Sequence, residues 1–358
     1  MQLLLVTILL CGAFQHSLAP ATNAPAGVGQ ASRVSYEPPA DWRQQRESGV
    51  DYYKASQYRR AISALIAAFR TNSRDPRTLL YLGLSYESAH EYDKAAIIYR
   101  YFATLKLPDS LLGALRARVR DNFRMSWRRE IQRKLSKSDA VASGSSNSVA
   151  VLYFRNVSGW SELDPVIKGI AELLIHDLAK LKRLKVEDRG KIQVLVEELG
   201  MRPTELYDRT KIPEIARLLE ANFLITGGIE RIDETDVRLS AGVVDGRTGD
   251  LIGAGIQVRG RLSELAALEK EVIVQLTKDL GLEPVGAGSK PVPANSLALI
   301  AFSKGLDFED RNQFSAARKH YQEALRLDRN FRLVRHFQEG LPGPRLSESE
   351  MEKLVAGL

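Results

Sequence analysis

Cysteine is nearly missing from this chain: of 358 residues only Cys11 carries a thiol, and it lies inside the first apolar run. If that run is removed, neither disulfide nor thiolate chemistry is available. Histidine is scarce as well, with five in all. His16 falls just beyond the same run. His90, His176, His320 and His336 sit on expected helices without a second histidine at a ligand spacing such as i+4, which argues against a zinc-type centre. His176 and Asp177 are adjacent on a helix and do not face each other, so they make no acid–base pair. Gly253-Ala-Gly255 with Gly260 has the composition of a phosphate loop, but it lies in an expected strand and no helix opens behind it. Small residues there serve the close approach of neighbouring elements. No nucleophile, metal cluster or carboxylate pair emerges. The chain is therefore expected to be non-catalytic, with no cofactor.

Long apolar stretches are also lacking. The run LLLVTILLCGAF from Leu3 to Phe14 is too short to span a bilayer, and no other segment is apolar for long enough to cross one as a helix. Small residues and prolines follow it, so it reads as an export signal over residues 1–26, with cleavage before Gly27 after the small residues of Ala24-Pro25-Ala26. The alternative is lipidation of Cys11, although Leu10 stands where lipoprotein signals carry Gly, Ala or Ser. Net charge is +7, but 51 basic and 44 acidic residues are interspersed, which leaves only a weak bias towards anionic partners. The densest basic run, Arg116, Arg118, Arg120, Arg124, Arg128, Arg129, Arg133 and Lys134, offers cations for phospholipid, an acidic protein or nucleic acid, but reads first as the solvated side of a capping helix. No nucleic-acid partner is expected.

What is present is a repeat. Gly49, Tyr52, Tyr58 and Ala61 recur 34 residues later as Gly83, Tyr86, Tyr92 and Ala95, and Gly305, Phe308, Phe314, Ala317, Tyr321 and Ala324 keep the same spacing near the C-terminus. A period of this length marks stacked helical hairpins, because one hairpin cannot bury its own apolar face. These positions resemble the tetratricopeptide repeat. The first unit starts near Trp42, the second at Pro76, and a helix from about Leu111 to Leu135 is expected to cap the pair. In the repeat family the first helix of each hairpin lines the concave groove. The resemblance places Arg43, Arg46, Val50, Tyr53 and Lys54 there from the first unit, and Arg77, Leu80, Leu84 and Glu87 from the second. Cations beside an aromatic and leucines suit an acidic, partly apolar peptide. In the C-terminal unit Leu299, Phe302 and Leu306 make the equivalent face too apolar to leave wet, so it is expected to pack on the middle domain or on a second copy.

Ser-, Gly-, Ala- or Pro-rich breaks at residues 136–148 and 284–294 isolate a segment over 149–283. Its apolar pattern gives strand, helix, strand, helices, three strands and helix, the strands 237–243 and 251–258 forming a hairpin about Asp245 to Gly249. The expected fold class is α/β: a mixed-sheet domain flanked by all-α helical-hairpin repeats. The expected order is signal peptide 1–26, linker 27–40, repeats with capping helix 41–135, linker 136–148, α/β domain 149–283, linker 284–294, C-terminal repeat 295–332 and tail 333–358.

Four stretches, VAVLYFRNVSG (Val149 to Gly159), IAELLIHDLAKLKRLKVEDRGKIQVLVEEL (Ile170 to Leu199), ANFLITGGIERI (Ala221 to Ile232) and VVDGRTGDLI (Val243 to Ile252), resemble the CsgG-type bacterial envelope domain. Relatives of that domain include the curli-secretion subunit, the TolB N-terminal-like domain and lipoprotein activators of penicillin-binding proteins. The resemblance implies a periplasmic or outer-membrane-associated protein that works by assembly. The reading is an adaptor or scaffold that binds protein or peptide partners, acidic ones by the charge of the groove, with homo-oligomerisation and outer-membrane association as further expectations. Two rival readings are a curli-type secretion pore subunit and a lipoprotein activator of cell-wall synthesis enzymes. The hairpin bears on the first rival: its outer positions carry Arg238, Ser240, Gln257 and glycines, where a membrane strand needs lipid-facing apolar side chains.

Overall fold

The computed structural model describes residues 41–136, 147–201, 205–206, 208–283 and 292–358. The expected signal peptide, its cleavage site and Cys11 lie outside the described residues. The chain divides into two units, one formed by residues up to Phe123 together with Pro342–Leu358, the other by Arg124–Leu341.

The first unit opens with two helical hairpins, α1 (Asp41–Lys54) with α2 (Tyr58–Thr71) and α3 (Pro76–Ser88) with α4 (Tyr92–Phe102). Asp75 caps α3 by accepting from the Thr78 amide at 2.8 Å, and Pro76 fills the first turn. The recurring glycines mark where each pair of helices crosses. A Cβ on Gly49 would stand 2.5 Å from Leu65, and one on Gly83 2.3 Å from Tyr99. Ser56 and His90, at the hairpin turns, both take left-handed backbone (φ 58° and 63°). The next helix, α5 (Asp109–Leu135), contributes its first part to this unit.

The second unit holds the sheet. Strand order is β3 (Lys185–Val186), β1 (Ser148–Val151), β4 (Phe223–Arg231), β5 (Asp236–Asp245), β6 (Leu251–Arg261), with β2 (Arg155–Asn156) also on β4. The first pairings are parallel and the β4–β5 and β5–β6 pairings antiparallel, so the sheet is mixed. Strand alternation supplies two cores. Val149, Val151, Ile225, Leu239 and Val243 face one, covered by α6 (Val166–Leu178) and α9 (Leu265–Asp279). Ala150, Leu152 and Leu224 face the other, covered by α7 (Arg189–Leu199), α8 (Ile212–Leu219) and Ile131 from the end of α5. The apolar side of the β5–β6 hairpin is thus spent in the unit's own core. Asp164 does not cap α6, and Ser263 lies in a short 3-10 turn rather than capping α9. Asp164 instead accepts from the Asn156 side chain at 2.7 Å.

The C-terminal repeat, α10 (Ser296–Asp310) with α11 (Phe314–Leu327), followed by α12 (Arg332–Gly340), joins the same core. Leu299, Phe302 and Leu306 are fully buried there, and α10 crosses α6 so closely that a Cβ on Gly169 would lie 1.9 Å from Ser303 Oγ. The Gly–Tyr crossing recurs here as Gly305 and Tyr321, and the left-handed turn as Asn312. A buried ion network fixes the docking. Arg189 on α7 meets Glu172 Oε2 at 3.1 Å and also Asp310, and Lys168 on α6 lies 2.8 Å from both Asp307 and Asp310.

Two sequence expectations need correction. The basic run is largely tied up inside the protein: Arg118 pairs with Glu87 at 2.8 Å, Arg124 with Glu197 and Arg128 with Glu198 at 2.5 Å, and Lys134 with Glu220 at 2.9 Å. Periodicity reveals a charged face but not the carboxylates that neighbouring helices bring to it. The expected tail over 333–358 is helical over α12 and again over α13 (Glu348–Ala356). The latter starts at a reciprocal capping box between Ser347 and Glu350 and belongs to the first unit.

Candidate functional site

The inner face of the N-terminal repeats is formed by α1 and α3, as the helical register requires. At its centre Tyr53 packs edge-on against Tyr81, ring centroids 5.4 Å apart, above the buried Val50, Leu80 and Leu84. Charge borders this apolar floor. Glu47 accepts from Arg46 at 2.7 Å and from Arg77 at 2.9 Å, and Arg46 reaches Asp75 at 3.2 Å.

This face is covered by α13. Met351 is 0% and Val355 6% exposed, both in one cluster with Val50, Leu80 and Leu84. Two carboxylates flank them. Glu348 Oε2 accepts from the Tyr53 hydroxyl at 2.9 Å, and Glu352 accepts from Tyr81 and lies 3.5 Å from Arg77 and 4.0 Å from Lys54. Burial, then these carboxylates, push both phenols well above their ordinary range, so they stay protonated and donate. The segment leading into α13 is pinned as well: the Gly343 amide donates to the Gly113 carbonyl at 3.0 Å, and Arg345 meets Asp121 at 2.7 Å. Magnitudes assign the roles. Full burial of a Met or Val side chain contributes roughly 1.5–3 kcal/mol, against about 0–1 kcal/mol for a partly exposed ion pair. Met351 and Val355 anchor the helix; Glu348 and Glu352 set its register.

Of the residues expected on the inner face, Val50, Tyr53, Lys54, Arg77, Leu80 and Leu84 come together around α13. Three do not. Arg43 is exposed over the Trp42 ring, 5.3 Å from its centroid. Arg46 is committed to Glu47 and Asp75. Glu87 turns towards α5, accepting from Tyr99 at 2.9 Å, Arg118 at 2.8 Å and Asn122 at 3.2 Å. The sequence reading missed Tyr81, Glu348, Met351, Glu352 and Val355. The helix itself was marked, since Ser347 to Glu350 reads as a capping box with Met351, Leu354 and Val355 at helical spacing behind it, but the face it covers was not.

The α/β unit offers polar groups of another kind. Burial raises the carboxyls of Glu172 and Glu269 to about 7, opposed by Arg189 and Lys270 respectively. Asp177 is held below the ordinary carboxylate range by bonds from Lys180 and Lys270 that outweigh its burial. Trp160, 49% exposed, stacks under Arg231 with the guanidinium 3.9 Å from its centroid. Among the described residues no three His, Cys, Asp or Glu side chains are grouped to hold a metal ion, and no helix is long and apolar enough to cross a membrane.

No curated protein matches the chain. Solved structures similar to part of it include lipoprotein GNA1162 from Neisseria meningitidis (16% identity, 37% of this chain and 98% of that one, TM-score 0.30). Others are the LpoB C-terminal domain from Salmonella enterica (16%, 38% and 93%, 0.25) and LpoB from E. coli (17%, 38% and 64%, 0.26). At these scores the likeness carries no functional statement. Residues 47–106, the stretch that builds the inner face from Glu47 onward, match the tetratricopeptide repeat family.

Proposed function

We propose that this chain is a non-catalytic adaptor or scaffold that holds protein partners in an envelope or secretion-related assembly. The observation that carries the proposal is the inner face of the repeats, where an apolar floor of Val50, Leu80 and Leu84 is bordered by Tyr53, Lys54 and Arg77 in a fold whose concave side serves recognition. The periplasmic or outer-membrane location, the export signal and the kinship of the α/β unit with CsgG/TolB-type domains are parts of this proposal and rest on the sequence. The long β5–β6 hairpin supports the adaptor over the pore reading, since Val237, Leu239, Val243 and Ile256 are buried under the unit's own helices.

Fractionation of cells followed by intact mass and native sizing of the protein tests the reading. The expected result is an envelope species, starting at Gly27, recovered in a complex of defined stoichiometry that dissociates when Tyr53 and Arg77 are replaced by Ala and Glu. Recovery solely as a free cytosolic monomer would sink it.

A further inference from the structure

The helix that covers the inner face has the chemistry the face itself calls for. On α13, Glu348 and Glu352 stand one turn apart, as do Met351 and Val355, and together they make one stripe: carboxylates to the tyrosines and cations, apolar groups to the floor. Leu354 is half-buried against the same cluster, and the outer side of the helix is solvated, with Ser349, Glu350, Lys353 and Ala356 exposed. Its hold is partial. Met351 and Val355 are buried and Leu354 half-buried along its length, and the cations stand 3.5 and 4.0 Å from Glu352. A segment of nine residues is a marginal helix by itself, so undocking amounts to local melting, with no need to disturb α1–α4. Its tether, by contrast, is short and pinned at Gly343 and Arg345, which keeps the segment at high effective concentration over the face.

We propose that the inner face of the N-terminal repeats is a receptor for an acidic amphipathic helix of a partner protein, bearing carboxylates at i and i+4 and apolar anchors at i+3 and i+7, and that the chain's own helix Glu348–Ala356 occupies this receptor as an internal competitor. The proposal rests on the adaptor reading and names the partner chemistry for its site. A partner with larger apolar anchors at the Met351 and Val355 positions displaces α13; a partner without the paired carboxylates does not.

The test uses the full chain and a fluorescent peptide of residues 344–358 as probe. The variant Met351→Asp with Val355→Asp releases α13 and leaves the face intact. The expected result is at least ten-fold tighter binding of the peptide by this variant than by the wild type, with binding lost when Arg77→Glu is added. Equal affinity for both chains overturns the internal competitor while leaving the adaptor reading in place. No binding by either folded chain overturns the inference and also removes the inner face from the adaptor reading. Loss of helical circular dichroism over the repeats in the released variant would make α13 an integral part of the fold and likewise overturn the proposal. Hydrogen exchange on the wild type gives a reading independent of any variant. Amides of 349–356 are expected to exchange at least ten-fold faster than those of Leu79–Leu84, whereas exchange of both sets at one common rate contradicts displacement.

Discussion

At Gly83 and Gly305 the fold leaves room for hydrogen and nothing more. A Cβ would meet the Tyr99 ring at 2.3 Å and the Tyr321 ring at 2.2 Å, and both tyrosines are locked by bonds to Glu87 and Glu309. Gly83→Ala and Gly305→Ala are therefore each expected to cost roughly 1–3 kcal/mol in urea denaturation. Gly340→Ala, with nothing within 4 Å, should be close to neutral. Ser56 presents the opposite case. Its φ of 58° is a conformation glycine adopts without cost, so Ser56→Gly is expected to stabilise the first unit by about 0.5–1 kcal/mol. Glu269 supplies a pH dependence. Its side chain is 0% exposed and its carboxyl titrates near 7, against an ordinary value of 4.5. Between those values the native state binds more protons than the unfolded one, so this group's contribution is full at low pH and is lost as pH rises through 7. The whole span corresponds to roughly 3 kcal/mol. Measured by thermal melts from pH 5 to pH 8, Glu269→Gln should gain on the wild type as pH rises. The difference between the two proteins isolates Glu269 from His176 and His320, whose lowered values act in the opposite direction. The glycines were legible in the sequence because a 34-residue period repeats them. The tyrosine–glutamate bonds behind them were not, since nothing local distinguishes Glu87 pointing at Tyr99 from Glu87 pointing outward.

Among the elements, α10 shows how a repeat helix is captured by a different fold. Its apolar stripe of Leu299, Phe302 and Leu306 was visible in the sequence, and so was the need to bury it. That α6 would be the partner was not, because the matching surface depends on Gly169, whose missing side chain leaves no periodic trace. The capture is reinforced by Arg189 between Glu172 and Asp310. Removing one member of a buried ion network leaves the others uncompensated, so Arg189→Ala is expected to destabilise the second unit by about 3–5 kcal/mol. Unfolding followed by Trp160 fluorescence checks it, and a loss under 1 kcal/mol would mean that the network is solvated. At α13 sequence reasoning failed for a related reason. Nine residues with three apolar positions resemble any exposed terminal segment, and periodicity says which face of a helix is apolar, not what lies opposite it.

For the molecule as a whole, the division into two units predicts two calorimetric transitions. Replacing Glu269 should move only one of them with pH, and Gly83→Ala only the other; a single transition displaced by both would show that the units melt together. The sequence conveyed the alternation of repeat, sheet and repeat because composition breaks and periodicity are local properties. The re-entry of Pro342–Leu358 into the first unit is a long-range contact and left no local mark. That re-entry sets an order of events at the ribosome. Residues 124–341 must all be made before α13 exists, so throughout that interval the nascent repeats lack the cover that Met351 and Val355 give to Val50, Leu80 and Leu84. The inner face is consequently most open to other proteins, folding helpers included, before α13 has been made, and the helix that shuts it is made more than two hundred residues after the repeats.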